Sequence, residues 1–278
     1  MTVLRRGIVA GYDGSIGSEQ ALRWAADEAR ARACTLTVCL AWAPQYLTML
    51  ADKVVYDVAR RRGDEILARG VRHAASAMGT GQVTPLLARG PATSVLCEQS
   101  AGAQMVVLGA RGNGGVPGLA VGSVAWQVAG HAHGPIVVVR GRARLHNSNA
   151  GPVVAGADGS AVSDDVLRFA FHEAELRRVP LLAVCALADA SAMIGGAQQV
   201  EADFSHLTAI QEKENPDVTL LRQVLPGSPR AALMEAAAGA QLLVVGSRGR
   251  GGLQGMTLGS TAVAMLHHAP CPVAVVHA

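Results

Sequence analysis

Gly109-Ala-Arg-Gly-Asn-Gly-Gly-Val-Pro-Gly-Leu-Ala-Val-Gly-Ser123 and Gly246-Ser-Arg-Gly-Arg-Gly-Gly-Leu-Gln-Gly-Met-Thr-Leu-Gly-Ser260 are two writings of one pattern. Over these 15 residues all six glycines coincide, as do Arg111 with Arg248 and Ser123 with Ser260. Each stretch follows an apolar run, Met105-Val-Val-Leu108 or Leu242-Leu-Val-Val245, and leads into a helix-like segment. A strand, a glycine loop and a helix N-terminus together meet phosphate with converging backbone N–H groups and the positive end of a helix dipole. Such a helix end contributes only about 0.3–2 kcal/mol per charge, so several donors must act together. Glycine suits the loop because it permits close backbone approach, and a Cβ at Gly112 or Gly249 would stand where phosphate comes in. Tight turns or helix-on-sheet packing would explain one copy, but explain two copies at matched spacing poorly.

The duplication divides the 278 residues into two related halves. In the first, strand signals cover 7–10, 36–42, 83–88, 105–108 and 136–139, and helical periodicity covers 18–31, 52–78, 93–100 and 120–131. The long segment 52–78 is expected to break or distort near Gly63 or Gly70. The second half repeats the order: strands at 153–157, 181–187, 218–224, 242–245 and 273–276, helices at 164–178, 229–238 and 258–268. Alternation of this kind predicts an α/β fold with parallel sheets covered by helices on both faces. The offset between halves is 145 at Asp13/Asp158 and 137 at Gly109/Gly246, so eight residues are missing near the long helix. Residues 141–151 read as the linker, which gives domains at 1–143 and 151–278.

Composition excludes several function classes. The only lysines are Lys53 and Lys213, outside both glycine loops, so a lysine-bearing Walker A loop is absent. The net charge of +3 hides an asymmetry: residues 1–145 carry 16 Lys/Arg against 9 Asp/Glu (+7), and residues 146–278 carry 8 against 12 (−4). Opposite signs favour docking of one half on the other or on a second copy of the chain. Three Phe, three Tyr and three Trp are too few and too scattered for a nucleic-acid stacking surface. No apolar run approaches the ~18 residues of a membrane span, and strand signals begin too early for a signal peptide. A cytoplasmic protein bound to neither membrane nor nucleic acid is expected.

A second matched element ends the first strand of each half: Gly11-Tyr-Asp13-Gly-Ser15 and Gly156-Ala-Asp158-Gly-Ser160. Beyond a parallel strand's carboxyl end, an aspartate can accept from ribose hydroxyls or meet a phosphate-bound Mg²⁺. Asp-Gly-Ser is also ordinary turn and cap chemistry. A dinucleotide fingerprint fails, because the local glycines miss G-x-G-x-x-G by one residue and follow the fourth strand rather than the first.

With Gly90-Pro91-Ala92, Gly227-Ser228-Pro229, His131-Ala-His-Gly-Pro135 and His268-Ala-Pro-Cys-Pro272, these motifs closely resemble the universal stress protein family, in a tandem form. The resemblance implies two Rossmann-like (adenine nucleotide α-hydrolase-like) domains, each with a five-stranded parallel sheet in the order 3-2-1-4-5. It also implies the ATP-binding branch, since the glycine pattern is present twice. Carried over by position, Asp13 and Asp158 contact ribose or, through Mg-ATP, metal, while backbone at Ala41 and Ala186 holds adenine. Gly109, Gly112, Gly122 and Ser123 hold phosphate in the first half; Gly246, Gly249, Gly259 and Ser260 do so in the second. Gly11, Arg111, Gly114 and Gly115, with Gly156, Arg248, Gly251 and Gly252, complete the candidate set. Leu40 and Cys185 stand where family members often carry His.

The remaining features read as structural. His131, His133, His267 and His268 sit where imidazole can meet a helix dipole, and Arg60-Arg-Arg62 reads as a solvated helix face. The five cysteines form no C-x-x-C and are expected to be buried free thiols. The apolar last strands, 136–139 and 273–276, are expected to pair or pack, half on half or chain on chain, in a homodimer. The function expected is an ATP-binding stress-response regulator acting through nucleotide occupancy and a protein partner. The alternative is a slow ATP hydrolase or nucleotide-dependent transferase, for which the loops offer no lysine and no evident base.

Overall fold

The computed structural model of the chain describes residues 7–42, 53–114, 120–140, 151–187, 196–250 and 257–277. It has two compact units, Met1–Arg140 and Gly141–Ala278; the linker expected at 141–151 lies, but for Gly151, outside the described residues. The first unit runs β1 (Ile8–Gly11), α1 (Ile16–Ala31), β2 (Leu36–Trp42), α2 (Lys53–Met78), β3 (Val83–Arg89), α3 (Ala92–Ser100), β4 (Met105–Gly109), α4 (Ser123–His131) and β5 (Ile136–Val139). Its strands are parallel, in the order β3-β2-β1-β4-β5. The second unit runs β6 (Val153–Gly156), α5 (Ser163–Arg177), β7 (Leu181–Leu187), α6 (Gly196–Glu214), β8 (Leu220–Pro226), α7 (Pro229–Ala236), β9 (Leu242–Gly246), α8 (Ser260–His268) and β10 (Val273–Val276). There the order is β8-β7-β6-β9-β10, again parallel.

In each sheet the first strand is flanked by the second on one side and the fourth on the other. Crossovers leaving in opposite directions open a crevice beyond the carboxyl ends of β1 and β4, and likewise of β6 and β9. The central strands are continuous apolar runs, Ile8, Val9 and Ala10 among them, buried on both faces as a covered parallel sheet requires. The outer strands β3 and β8 instead expose polar positions, and β3 carries Pro85.

Helix α1 buries Ala21, Leu22, Trp24, Ala25 and Ala29 and is capped by Ser15, whose Oγ accepts from the Ser18 N–H at 3.2 Å. Burying a side chain such as Leu22 stabilises the fold by roughly 1.5–3 kcal/mol. Both halves also bury a Glu–Arg pair one turn apart at the C-terminal end of the first helix, Glu28 with Arg32 at 2.6 Å and Glu173 with Arg177. The duplication therefore extends to buried ionic contacts.

Three differences from the sequence reading have identifiable causes. Helix α2 is unbroken across Gly63 and Gly70. A Cβ on Gly70 would lie 2.7 Å from Cε1 of Tyr12, and one on Gly63 would lie 3.2 Å from Leu87 Cδ1. These glycines let the helix approach its neighbours. Helices α4 and α8 begin at Ser123 and Ser260, later than 120 and 258, because Gly122 and Gly259 are extended N-caps (φ −77° and −71°). Helix α6 has no counterpart in the sequence reading, and it is shorter than α2, 19 residues against 26. No helix among the described residues is long and apolar enough to cross a membrane.

Candidate functional site

Each half has a cavity at the carboxyl ends of its central strands, of about 170 Å³ in the first half and about 530 Å³ in the second. Every described member of the candidate set lines one or the other. Gly11 and Asp13 enter from the end of β1, Ala41 from β2, Gly109, Arg111, Gly112 and Gly114 from the loop after β4, and Gly122 and Ser123 from the start of α4. Gly156, Asp158, Ala186, Gly246, Arg248, Gly249, Gly259 and Ser260 take the corresponding places in the second half. Gly115, Gly251 and Gly252 lie outside the described residues.

The aspartates organise both sites. Asp13 Oδ1 accepts from the Ser15 N–H at 3.0 Å, an Asx turn, and Oδ2 accepts from the Asn113 N–H at 2.8 Å. Asp158 repeats this, with Oδ1 accepting from Ser160 N–H at 2.9 Å and Oδ2 from Arg250 N–H at 3.0 Å. One carboxylate thus closes its own turn and fastens the glycine loop. Burial alone would raise both carboxyls. Hydrogen bonds from Ser15, Asn113 and Ser18 outweigh it at Asp13, and those from Ser160, Arg250 and Ser163 at Asp158, so both sit below the ordinary carboxylate value and are ionised at neutral pH.

The glycines divide by what surrounds them. At Gly109 a Cβ would lie 2.4 Å from the Gly17 carbonyl carbon, and at Gly246 it would lie 2.4 Å from Val162 Cγ1. These two are packing glycines. At Gly112 and Gly249 a Cβ would lie 2.5 and 2.6 Å from Oδ2 of Asp13 and Asp158. The space expected for phosphate at these two positions is therefore held by the aspartate, because the loop must come close to be fastened. Gly122 and Gly259 differ: their backbone is extended, and a Cβ would meet its nearest described neighbours at ordinary distances of 3.6 and 3.5 Å. Nothing among the described residues requires glycine there. Both cap helices without a side-chain hydrogen bond, and the first-turn residues Ser123 and Val124, or Ser260 and Thr261, line the cavity. The N–H groups of a helix's first turn have no partner within the helix.

The sequence model of the universal stress protein family matches residues 5–140 and again 150–277. The chain belongs to the universal stress protein family. It is 36% identical over 290 residues to universal stress protein Rv2005c of Mycobacterium tuberculosis, covering 98% of this chain and 97% of that one. It is 33% identical over 298 residues to Rv1996 of the same organism, covering 97% and 94%. The crystal structure of a universal stress protein from Archaeoglobus fulgidus superposes with a TM-score of 0.76 over 98% of each chain, at 20% identity, and so shares the fold.

This universal stress protein also places at its sites residues that motif reading passed over. Tyr12 is buried beside the first cavity; its hydroxyl donates to Glu19 and accepts from Arg69 Nε at 3.3 Å, while His73 Nδ1 lies 2.8 Å from Glu19. Ser163 Oγ accepts from the Gly159 N–H at 3.0 Å and donates to Asp158 at 3.3 Å. A signal for it exists, since Ser18 and Ser163 both stand five residues after the aspartate. Cys39 and Cys185 line the cavities as free thiols, and burial pushes Cys39 up to about 11. His131 Nδ1 lies 2.8 Å from the Gln127 carbonyl at the end of α4, a structural contact.

Proposed function

We propose that each half binds one adenine nucleotide, ATP, in its cavity, and that the protein acts as a stress-response regulator through nucleotide occupancy and partner contacts. One observation carries this: Gly122 and Gly259 cap their helices with no side-chain hydrogen bond, and the first-turn residues of those helices line the space of a cavity. Phosphate in that space would meet the free N–H groups of the first helical turn and the hydroxyl of Ser123 or Ser260. The ribose would face Asp13 or Asp158, and the adenine would lie against the ends of β2 or β7 at Ala41 or Ala186. Magnesium fits as a companion of the phosphates. Asp13 and Asp158 are ionised and keep lone pairs, but one carboxylate per site is far from the six oxygens Mg²⁺ needs, so phosphate and water would supply the rest. The opposite charges of the halves support homodimer formation, which light scattering at low and high salt would test.

Two measurements decide the nucleotide reading. Mass spectrometry of small molecules released from heat-denatured protein should find ATP, and calorimetry on stripped protein should fit two sites per chain. A stoichiometry near zero across several stripped preparations would overturn it.

A further inference from the structure

The two cavities share a backbone and differ in the charge they bring to a phosphate. Arg248 and Arg250 both line the second cavity. Arg111 lines the first, but Asn113, the counterpart of Arg250, instead donates its side-chain amide to the Asp13 carbonyl at 2.7 Å. The Arg250 guanidinium lies across the turn after Asp158, where a Cβ on Gly159 would meet its Nη2 at 2.4 Å. Over the equivalent Gly14, the guanidinium comes from Arg69 of α2, which bonds the Tyr12 hydroxyl at 3.3 Å and the Gly14 carbonyl at 3.4 Å. The first half thus directs that cation at protein oxygens, and the second carries it on the glycine loop itself. Burial pushes the Cys185 thiol in the cavity wall up, Asp158 raises it further, and the charge of Arg250 lowers it. Ala157 replaces Tyr12 in the wall of the larger cavity.

We infer that the two halves are unequal nucleotide sites, and that Arg250 makes the second discriminate triphosphate from monophosphate more strongly than the first. The inference rests on the nucleotide reading above. ATP and AMP share base and ribose and differ in the phosphate chain, so their affinity ratio isolates what the loop cation contributes.

The test uses the full chain with one site closed at a time. Gly112→Val closes the first and Gly249→Val the second, since each Cβ collides with the aspartate that fastens the loop. With only the second site open, the ATP-to-AMP affinity ratio should exceed that of the first by about tenfold, the worth of one charge-assisted hydrogen bond. Arg250→Asn should erase that excess, and Asn113→Arg should raise the ratio at the first site. Equal ratios at the two sites overturn the inference, as does an Arg250→Asn chain that melts like its parent and keeps its ratio. If Arg250→Asn does not fold, Asn113→Arg decides, and no rise in ratio counts against the inference. Absence of both ATP and AMP binding to the unaltered chain would instead sink the nucleotide reading.

Discussion

In the first half the helix after the second strand packs on the outer strand and is also tied to the turn after β1; in the second half it is tied to the outer strand and reaches the cavity through Val200. Helix α2 presses Gly70 against Tyr12, and Arg69 and His73 reach Tyr12 and Glu19 from the same helix. Helix α6 faces no tyrosine, because Ala157 stands in that place. It is held to β8 by Arg222, which donates to Thr208 at 2.7 Å and pairs with Glu212. Yet the hydrogen bond that the glycine loop donates to the aspartate is nearly identical, at 2.8 and 3.0 Å. The duplicated chain has kept the backbone contact that shapes the site, and the side chains that brace it have diverged.

The comparison breaks most visibly at Gly70. Gly70→Leu should destabilise the protein by about 2–3 kcal/mol by forcing Tyr12 aside, whereas Ala202→Leu on the exposed face of α6 should stay within about 0.5 kcal/mol. Thermal melts would show it, and equal costs would mean α2 is no more closely fitted than α6.

Next in size are the aspartates. Asp13→Asn and Asp158→Asn should each weaken ATP at its own site by about 1–2 kcal/mol, since a neutral amide accepts the loop N–H less strongly. Calorimetry should then fit one strong and one weak site, and a loss at both sites from either single change would contradict independent halves. Both carboxyls titrate below their ordinary value of 3.8 in the folded protein. The stability they confer is therefore present above that value and lost as pH falls through the lower folded one. Acid melts of the double variant should accordingly decline less below about pH 4 than those of the parent.

Tyr12→Phe, which removes the hydroxyl from Glu19 and Arg69, should cost about 1 kcal/mol and affect only the first site. A change at the second site would show that the brace is not local. The smallest expected effect is on turnover. Neither loop offers a lysine or an evident base, and ATP hydrolysis should stay below about 1 s⁻¹ in both halves. Faster turnover that vanished in the aspartate double variant would favour the hydrolase alternative.

What the sequence made legible was whatever occurs twice in letters. Asp13 with Asp158, Gly122 with Gly259 and the apolar strands β2 and β7 declare themselves by repetition and by their apolar runs. Helix α6 did not, because its buried seam is Phe204, Thr208 and Gln211, and only the first of these is apolar. Gly70 was misread because local propensity treats glycine as a helix breaker, while its neighbour Tyr12 lies far away in sequence. The roles of Asn113 and Arg250 were hidden for a different reason: each fastens the loop through its backbone N–H, a group that every residue except proline carries.

The bond between Asp13 and Asn113 spans 100 residues, and its counterpart between Asp158 and Arg250 spans 92. During synthesis a pocket of this kind does not exist until the later partner has emerged from the ribosome. Domains fold as units, the N-terminal one first, so the first pocket closes while most of the second half has yet to be translated. On the nucleotide reading proposed above, a nascent chain could load the pocket lined by Tyr12 before its second pocket has formed.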